Sequence, residues 1–475
     1  MDKSQLHNYS KIQIIGLIIG PLAAIVIWFL PSVFSLSLQG QHFFAVFVCA
    51  IVFWVTLPIP AEFTALLMIT IPWLLNDIPL DVAFSGWMNR TTWFMFGALI
   101  VGRVVTETGF DKRITYFLLS KLKRLSGTYN GILLAIFIII ILVSLIVPSG
   151  MVITTVVCAL VFPLISAFGV DKNSNIGKAI MLIVPTMVLI VGRETLTGSV
   201  ANIVLWGFLE AEGQTMSWLA WFLANFPSVL VMGLLTYFMF ISTIKPEVSK
   251  VPNGSEYFVQ KSKELGPMRL EEKKAAILFS TALILWATGT YTNISVNQVA
   301  LGIAIVAILP GVGVMDFKSA ISKTNWSIMF FVAAIVSLPS IMEYVGMSEA
   351  FQSVFTNLAQ YIKSPLIFIV VLWLFSQLCG WLGLGLAAPI IITPIMFPIA
   401  YDIGIPLSTV ILMQCLFRPA VLYYHATHPL IGASYGTYEQ RDFAKFGFVI
   451  AFLWLPIVIF MYYCWYPILI GWGLL

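Results

Sequence analysis

The sequence predicts an all-α polytopic membrane protein, with 11 transmembrane helices and two re-entrant hairpins arranged as two inverted-topology repeats. Three observations lead there. Only 10% of the 475 residues are charged and 60% are hydrophobic, with a mean hydropathy of +0.97; a soluble domain carries roughly 25% charge. The apolar runs are about 20 residues long, the length of a spanning helix, and the alternating ten-residue segments of a membrane barrel are missing. Two of the runs are interrupted midway, by Pro148–Ser149–Gly150–Met151 and by Gly383–Leu384–Gly385–Leu386.

Taken in order, apolar runs place spans at 12–30, 41–57, 62–76 and 91–109, a hairpin at 128–169, a broken span at 178–211 and a span at 217–244. After the polar stretch 245–273, spans follow at 274–291, 297–314 and 325–343, then a hairpin at 365–403, a broken span at 406–438 and a last span at 443–470. The first span lacks a small-residue cleavage site and reads as a retained helix, not a signal peptide. The interruptions at 148–151 and 383–386 read as hairpin tips, because irregular backbone at membrane depth survives only where it is buried in protein or lines a cavity. Charge supports this parity. With a cytoplasmic N-terminus and both hairpins turning back, all 25 Lys and Arg fall on the cytoplasmic side except Arg90, Lys363 and the intramembrane Arg103, Arg193 and Arg418. That is the positive-inside distribution of a multi-pass protein of the cytoplasmic membrane with its C-terminus outside.

The two halves repeat. Phe162–Pro163–Leu164 leads to Phe168–Gly169–Val170 as Phe397–Pro398–Ile399 leads to Ile403–Gly404–Ile405, and Gly150 and Gly385 precede the two prolines by the same interval. Thr92–Trp93 and Asn325–Trp326 open matching spans, closed by Gly109 and Gly346 and followed by the stretches 111–125 and 347–363. In the first stretch Ile114, Phe117, Leu118, Leu122 and Leu125 share one helical face, as in a helix lying in the membrane interface. The organisation read from this is an N-terminal membrane helix at 1–40 and repeat 1 at 41–244 (scaffold 41–125, transport part 128–244). A cytoplasmic linker at 245–273 joins it to repeat 2 at 274–475 (scaffold 274–363, transport part 365–475). Each repeat holds an odd number of spans, so the second copy is inverted, which is the architecture of secondary transporters with a site at the repeat interface.

Polar residues in the spans carry the chemistry. An arginine at depth costs about 2.5–3.5 kcal/mol on insertion scales and faces a cavity or a partner. Arg103 has Glu107 one turn on, a bracing pair. Arg193 opens the glycine- and hydroxyl-rich break Gly192–Arg193–Glu194–Thr195–Leu196–Thr197–Gly198–Ser199, and Arg418–Pro419 leads into His425–Ala426–Thr427–His428–Pro429. A cation beside half-helix N-termini is an anion site; an ion pair between Arg193 and Glu194 is the alternative at that position. His425 and His428 could donate to substrate, act as a proton switch, or pack against backbone. They lack the further ligands that zinc needs. The five cysteines lie inside apolar runs and read as core residues. No phosphate-binding loop is present, so an ATP-driven machine is not indicated.

The chain resembles the divalent-anion/sodium symporter family, the INDY-like dicarboxylate transporters. The resemblance is carried by Pro60–Ala61–Glu62–Phe63–Thr64–Ala65–Leu66, by Trp93–Phe94–Met95–Phe96–Gly97 through Thr108–Gly109–Phe110, and by Thr195–Leu196–Thr197–Gly198–Ser199–Val200–Ala201–Asn202. The last is similar to the family's T-P-x-G-T-P-P-N element, and Thr427–His428–Pro429 to its second T-P-P element. The resemblance implies a homodimer with a scaffold and a transport domain moving as an elevator. It also implies a substrate site drawn from Ser149, Gly150, Met151, Arg193, Thr195, Ser199, Asn202, Leu384, Gly385, Arg418, His425, Thr427, His428 and Pro429. The family's hairpin tips carry Ser-Asn-Thr and help hold sodium and a dicarboxylate end. Here the tips are Ser149–Gly150–Met151 and Leu384–Gly385–Leu386, so side-chain oxygens that a hard cation wants are gone except on Ser149.

The expectation is a transporter, not an enzyme, that exchanges C4–C5 dicarboxylates (succinate, malate, fumarate, 2-oxoglutarate) without sodium or another cofactor. Its partners are the substrate, the bilayer and a second copy, not nucleic acid. The first alternative is a sodium- or proton-coupled dicarboxylate or citrate symporter. The second is an intramembrane enzyme built on His425, His428 and Glu194, for which a nucleophile or metal set at workable spacing is missing.

Overall fold

The computed structural model describes residues 9–31, 36–122, 125, 127–145, 147, 149–250, 260, 263–347, 350, 361–381, 388–418 and 427–475. Among these the chain is helical, with one isolated β-bridge between Thr128 and Lys250. Among the described residues five helices are long and apolar enough to cross a membrane: Lys11–Phe29, Leu38–Thr56, Trp218–Thr243, Trp326–Tyr344 and Arg441–Gly471. Further apolar helices are shorter, including Asn175–Val191 and Val200–Ala211.

Helix ends follow local chemistry. Ser10, Ser37, Ser174, Ser217 and Ser295 each precede a helix and accept a backbone N–H from its first turn, filling a donor that the helix itself leaves open. The span expected at 297–314 is shorter, running Val296–Ile308. Pro310 lacks the N–H to continue it, and Gly311, at φ +78°, turns the chain so that Val314 N–H bonds back to Ala307. The span expected at 325–343 runs Trp326–Tyr344 and passes through Ser337 with helical torsions, the Ser337 N–H reaching the Ala333 carbonyl at 3.2 Å. The span expected at 178–211 is broken as anticipated: Asn175–Val191, a 3₁₀ turn Leu196–Gly198, then Val200–Ala211. Gly169 and Gly404 both take the left-handed conformation, at φ +73° and +72°, which a glycine adopts without penalty.

The helices fall into two compact units. The first comprises Met1–Phe96, Ile203–Thr215 and Asn325–Gln414. In it Lys11–Phe29 packs along Leu38–Thr56, and Ala61–Leu74 packs on Trp326–Val336. Gly86 donates its N–H to the Ser337 hydroxyl at 2.8 Å, a contact that a Cβ at Gly86 would block against the Ala333 carbonyl. Pro365–Trp381 and Ala388–Asp402, the two arms flanking the second expected tip, pack on each other.

The second unit comprises Gly97–Asn202, Met216–Thr324 and Cys415–Leu475. Its axis is Asn175–Val191, in which fourteen residues are buried. A helix apolar on every side is one surrounded by others. Tyr129–Ser144, Gly150–Val161, Trp218–Thr243, Thr427–Ala433 and Gln440–Phe460 all pack against it. Arg103 pairs with Glu107 at 2.9 Å, the bracing arrangement that their spacing suggests. At a polar edge of the unit, Arg113 Nε meets Glu272 Oε2 at 2.9 Å. The same carboxylate caps Leu270–Thr292 by accepting the Arg269 N–H, and Arg269 Nη2 donates to the Thr108 carbonyl.

Candidate functional site

The second unit brings most of the sequence-predicted site residues together. Ser149 caps Gly150–Val161, its hydroxyl accepting the Val152 N–H at 3.4 Å. Gly150 lies directly against the His428 imidazole: a Cβ built there would collide with Nε2, and would also press on Val188. The ring occupies the room that a side chain at position 150 would need. Met151 is exposed. Thr427 opens the helix Thr427–Ala433 and Pro429 is buried in it, with its carbonyl accepting the Tyr438 hydroxyl at 2.8 Å. Among the described residues, Nδ1 of His428 finds no hydrogen-bond partner. Leu384, Gly385 and His425 lie outside the described residues.

The break after Asn175–Val191 is clamped from within. Asn202, fully buried, donates its amide to the Gly192 carbonyl at 2.9 Å and the Thr195 carbonyl at 2.6 Å. Its Oδ1 accepts the Cys415 thiol at 3.4 Å. One side chain thus ties two points of the loop, supplying the Gly192 carbonyl with a donor and joining the Gly198 N–H on the Thr195 carbonyl.

The two arginines differ in their use. The Arg193 guanidinium is buried and donates to the carbonyls of Leu189, Cys415 and Arg418. Its plane lies over the Trp454 ring, 5.2 Å from the centroid, a cation–π contact. Trp221 in turn donates to the Arg193 carbonyl at 3.2 Å. Arg418 is half-buried, and its Nη1 donates to Ser199 Oγ at 2.8 Å. Ser199 immediately precedes Val200–Ala211, and its hydroxyl also accepts the Ala201 N–H at 3.3 Å. Arg193 therefore fixes the backbone that presents Arg418, and Arg418 meets a hydroxyl and a helix start. Among the described residues, no carboxylate stands within ion-pair distance of either guanidinium; the Arg193–Glu194 pair open on sequence grounds does not form.

Sequence reasoning did not single out Ser144, Trp221, Cys415 or Trp454. Ser144, the lone hydroxyl of an apolar run, is bonded to Glu194. It could have been flagged by composition; the others carried no signal, because Trp221 meets a distant backbone carbonyl, Trp454 offers a ring face and the Cys415 thiol meets Asn202 only through packing.

A broken helix with two arginines that meet no carboxylate among the described residues, in a chain of many apolar helices, defines the class: a multi-pass membrane protein. Residues 11–472 match the sodium:sulfate symporter transmembrane region, and the chain belongs to that family, the divalent-anion/sodium symporters. It is 26% identical to a membrane protein of Cupriavidus necator, over 91% of this chain and 88% of that protein. It is 25% identical to the inner membrane protein YbhI of Escherichia coli K12, over the full length of both. It is 24% identical to the L-tartrate/succinate antiporter of Escherichia coli K12, over 95% of this chain and 98% of that protein. The family consists of transporters, and dicarboxylates are among the substrates that its members' names record.

Proposed function

We propose that this protein exchanges C4–C5 dicarboxylates across the cytoplasmic membrane without sodium, by elevator-type alternating access. The observation that carries the reading is the uncompensated guanidinium of Arg418 held at 2.8 Å from Ser199 beside a helix start. Fixed positive charge can do what a co-bound cation does elsewhere, because a dianion leaves water only where charge meets it. The tip supports the same reading: His428 stands against Gly150, where a side-chain oxygen would otherwise reach toward a cation. The antiporter among the relatives agrees in mode and substrate class. Exchange requires that the empty carrier cross poorly, and an uncovered arginine charge supplies such a barrier. The reading includes the site residues named above from both hairpin tips, the repeat organisation with its scaffold and transport parts, a homodimer, and a cytoplasmic N-terminus.

Proteoliposomes test it. Vesicles loaded with unlabelled succinate, malate or 2-oxoglutarate should take up labelled dicarboxylate equally with and without sodium, and empty vesicles should not. Sodium-driven uptake into empty vesicles would instead establish symport, and uptake driven by a proton gradient would establish proton coupling.

A further inference from the structure

Glu194 has no part in the exchange reading, yet it is fully buried beside Arg193. Its carboxyl is bonded through Oε1 to Ser144 Oγ, while among the described residues Oε2 has no partner. The contact with Ser144 leaves room for a proton on the carboxyl. A serine hydroxyl has one hydrogen to donate. Ser144 Oγ lies 2.7 Å from the Ile141 carbonyl, which can only accept. The N–H that would ordinarily fill that carbonyl belongs to Leu145 and goes to Val143 instead. One serine hydrogen faces two acceptors, the Glu194 carboxyl and the Ile141 carbonyl, and both contacts are full hydrogen bonds when Glu194 carries a proton of its own to donate.

The surroundings agree. Tyr129–Ser144 and Trp218–Thr243, both packed on the preceding helix, contain no Asp, Glu, Lys, Arg or His, and Gly150–Val161 contributes only Cys158. Gln440–Phe460 places Arg441, Asp442 and Lys445 in its first two turns, and Asp442 is paired with Lys178 at 3.1 Å. Thr427–Ala433 brings His428, and the segment around Cys415 brings Arg418; Tyr466 is buried in the same unit. The neighbouring Arg193 is turned to carbonyls and to Trp454. A bare carboxylate in this setting would be a desolvated charge with no counter-ion, which proteins avoid by protonation.

We propose that Glu194 sets the charge of the site: it holds a proton at neutral pH, so that Arg193 and Arg418 keep two uncompensated positive charges for a dianion. Arginine stays charged at any working pH. Ionised, Glu194 would add a buried negative charge to the loop that carries Arg193 and so weaken the hold on a dianion. This inference rests on the dicarboxylate reading for its substrate, but the proton itself does not.

Two measurements test it. Infrared spectra of the wild-type protein at neutral pH should show the C=O stretch of a protonated buried carboxyl that is absent from Glu194→Gln and shifted in Glu194→Asp. No such band would overturn the proposal, and the pair of variants keeps the assignment possible if one fails to fold. In proteoliposomes at neutral pH, Glu194→Gln should keep the wild-type KM for succinate within about twofold, since glutamine is as neutral as the protonated acid. As alkaline pH takes the proton to solvent, the wild-type KM should rise roughly tenfold or more while that of Glu194→Gln stays flat. A roughly tenfold fall in KM on making Glu194→Gln at neutral pH, or identical alkaline profiles for the two proteins, would overturn it. Wild-type protein that moves no dicarboxylate at all would overturn the exchange reading, and the infrared band would still decide the proton.

Discussion

At the residue scale, Arg418 and Gly150 separate two kinds of contribution. Arg418 supplies charge and a donor at a hydroxyl. Hydrogen bonds to charged groups contribute about 1.5–3 kcal/mol, so Arg418→Ala should lower dicarboxylate exchange by about 10- to 100-fold in the proteoliposome assay, with folded yield unchanged. Arg418→Lys keeps the charge but loses the planar fork, and should fall between the two. Gly150 contributes by lacking a side chain. Gly150→Asn restores the residue of the family's tip but collides with His428, and overpacking of this kind costs about 1–3 kcal/mol. Its thermal midpoint should drop, and Gly150→Asn combined with His428→Ala should recover most of the loss, a coupling that a double-mutant cycle measures. Retention of full stability by Gly150→Asn alone would show that the ring moves aside freely.

At the scale of the element, the break between Asn175–Val191 and Val200–Ala211 is an ordered loop, not a frayed end. Asn202 closes it with two donors to carbonyls at 192 and 195. Removing them orphans the Gly192 carbonyl, at about 1–3 kcal/mol, and leaves the Thr195 carbonyl with the Gly198 N–H alone. Asn202→Ala should therefore destabilise the protein by about that amount or more in detergent-solubilised unfolding, and should weaken exchange because Arg193, Arg418 and Ser199 all lean on the same loop. Asn202→Asp keeps the shape and loses the donors; if it matched wild type, the amide would not be the clamp. This loop was legible in the sequence because Gly192, Gly198 and three hydroxyl residues are too many for a lipid-spanning helix. The clamp was not legible: Asn202 reads equally well as a substrate ligand until its amide is seen to face two carbonyls. The same limit applied to Arg193, whose depth and position announced importance while its partners are backbone carbonyls and a tryptophan ring far along the chain.

At the scale of the whole molecule, one link between segments distant in sequence is ionic and lies in the second unit. Glu272, near the start of Leu270–Thr292, binds Arg113 and the Arg269 backbone N–H. Burial pushes its carboxyl upward, but the Arg269 N–H and the Arg113 guanidinium outweigh this and hold it below the ordinary carboxylate range. A carboxylate lowered on folding contributes stability that is complete above its unfolded value, near pH 4.3, and lost as pH falls through the lower folded value. Thermal midpoints followed toward acid pH should show this component in the wild type and lack it in Glu272→Gln. Parallel curves for the two would remove Glu272 from the acid-side stability.

The sequence by itself determined that the chain is helical and multi-pass, that it breaks after Val191, and which family it belongs to, because hydropathy, glycine and proline placement and charge bias act locally along the chain. Tertiary structure alone decided what the polar residues at those breaks touch. Whether an arginine faces a carboxylate, a carbonyl or a hydroxyl depends on residues such as Cys415, Trp454 and Ser144, brought near by packing, and no local pattern encodes that proximity.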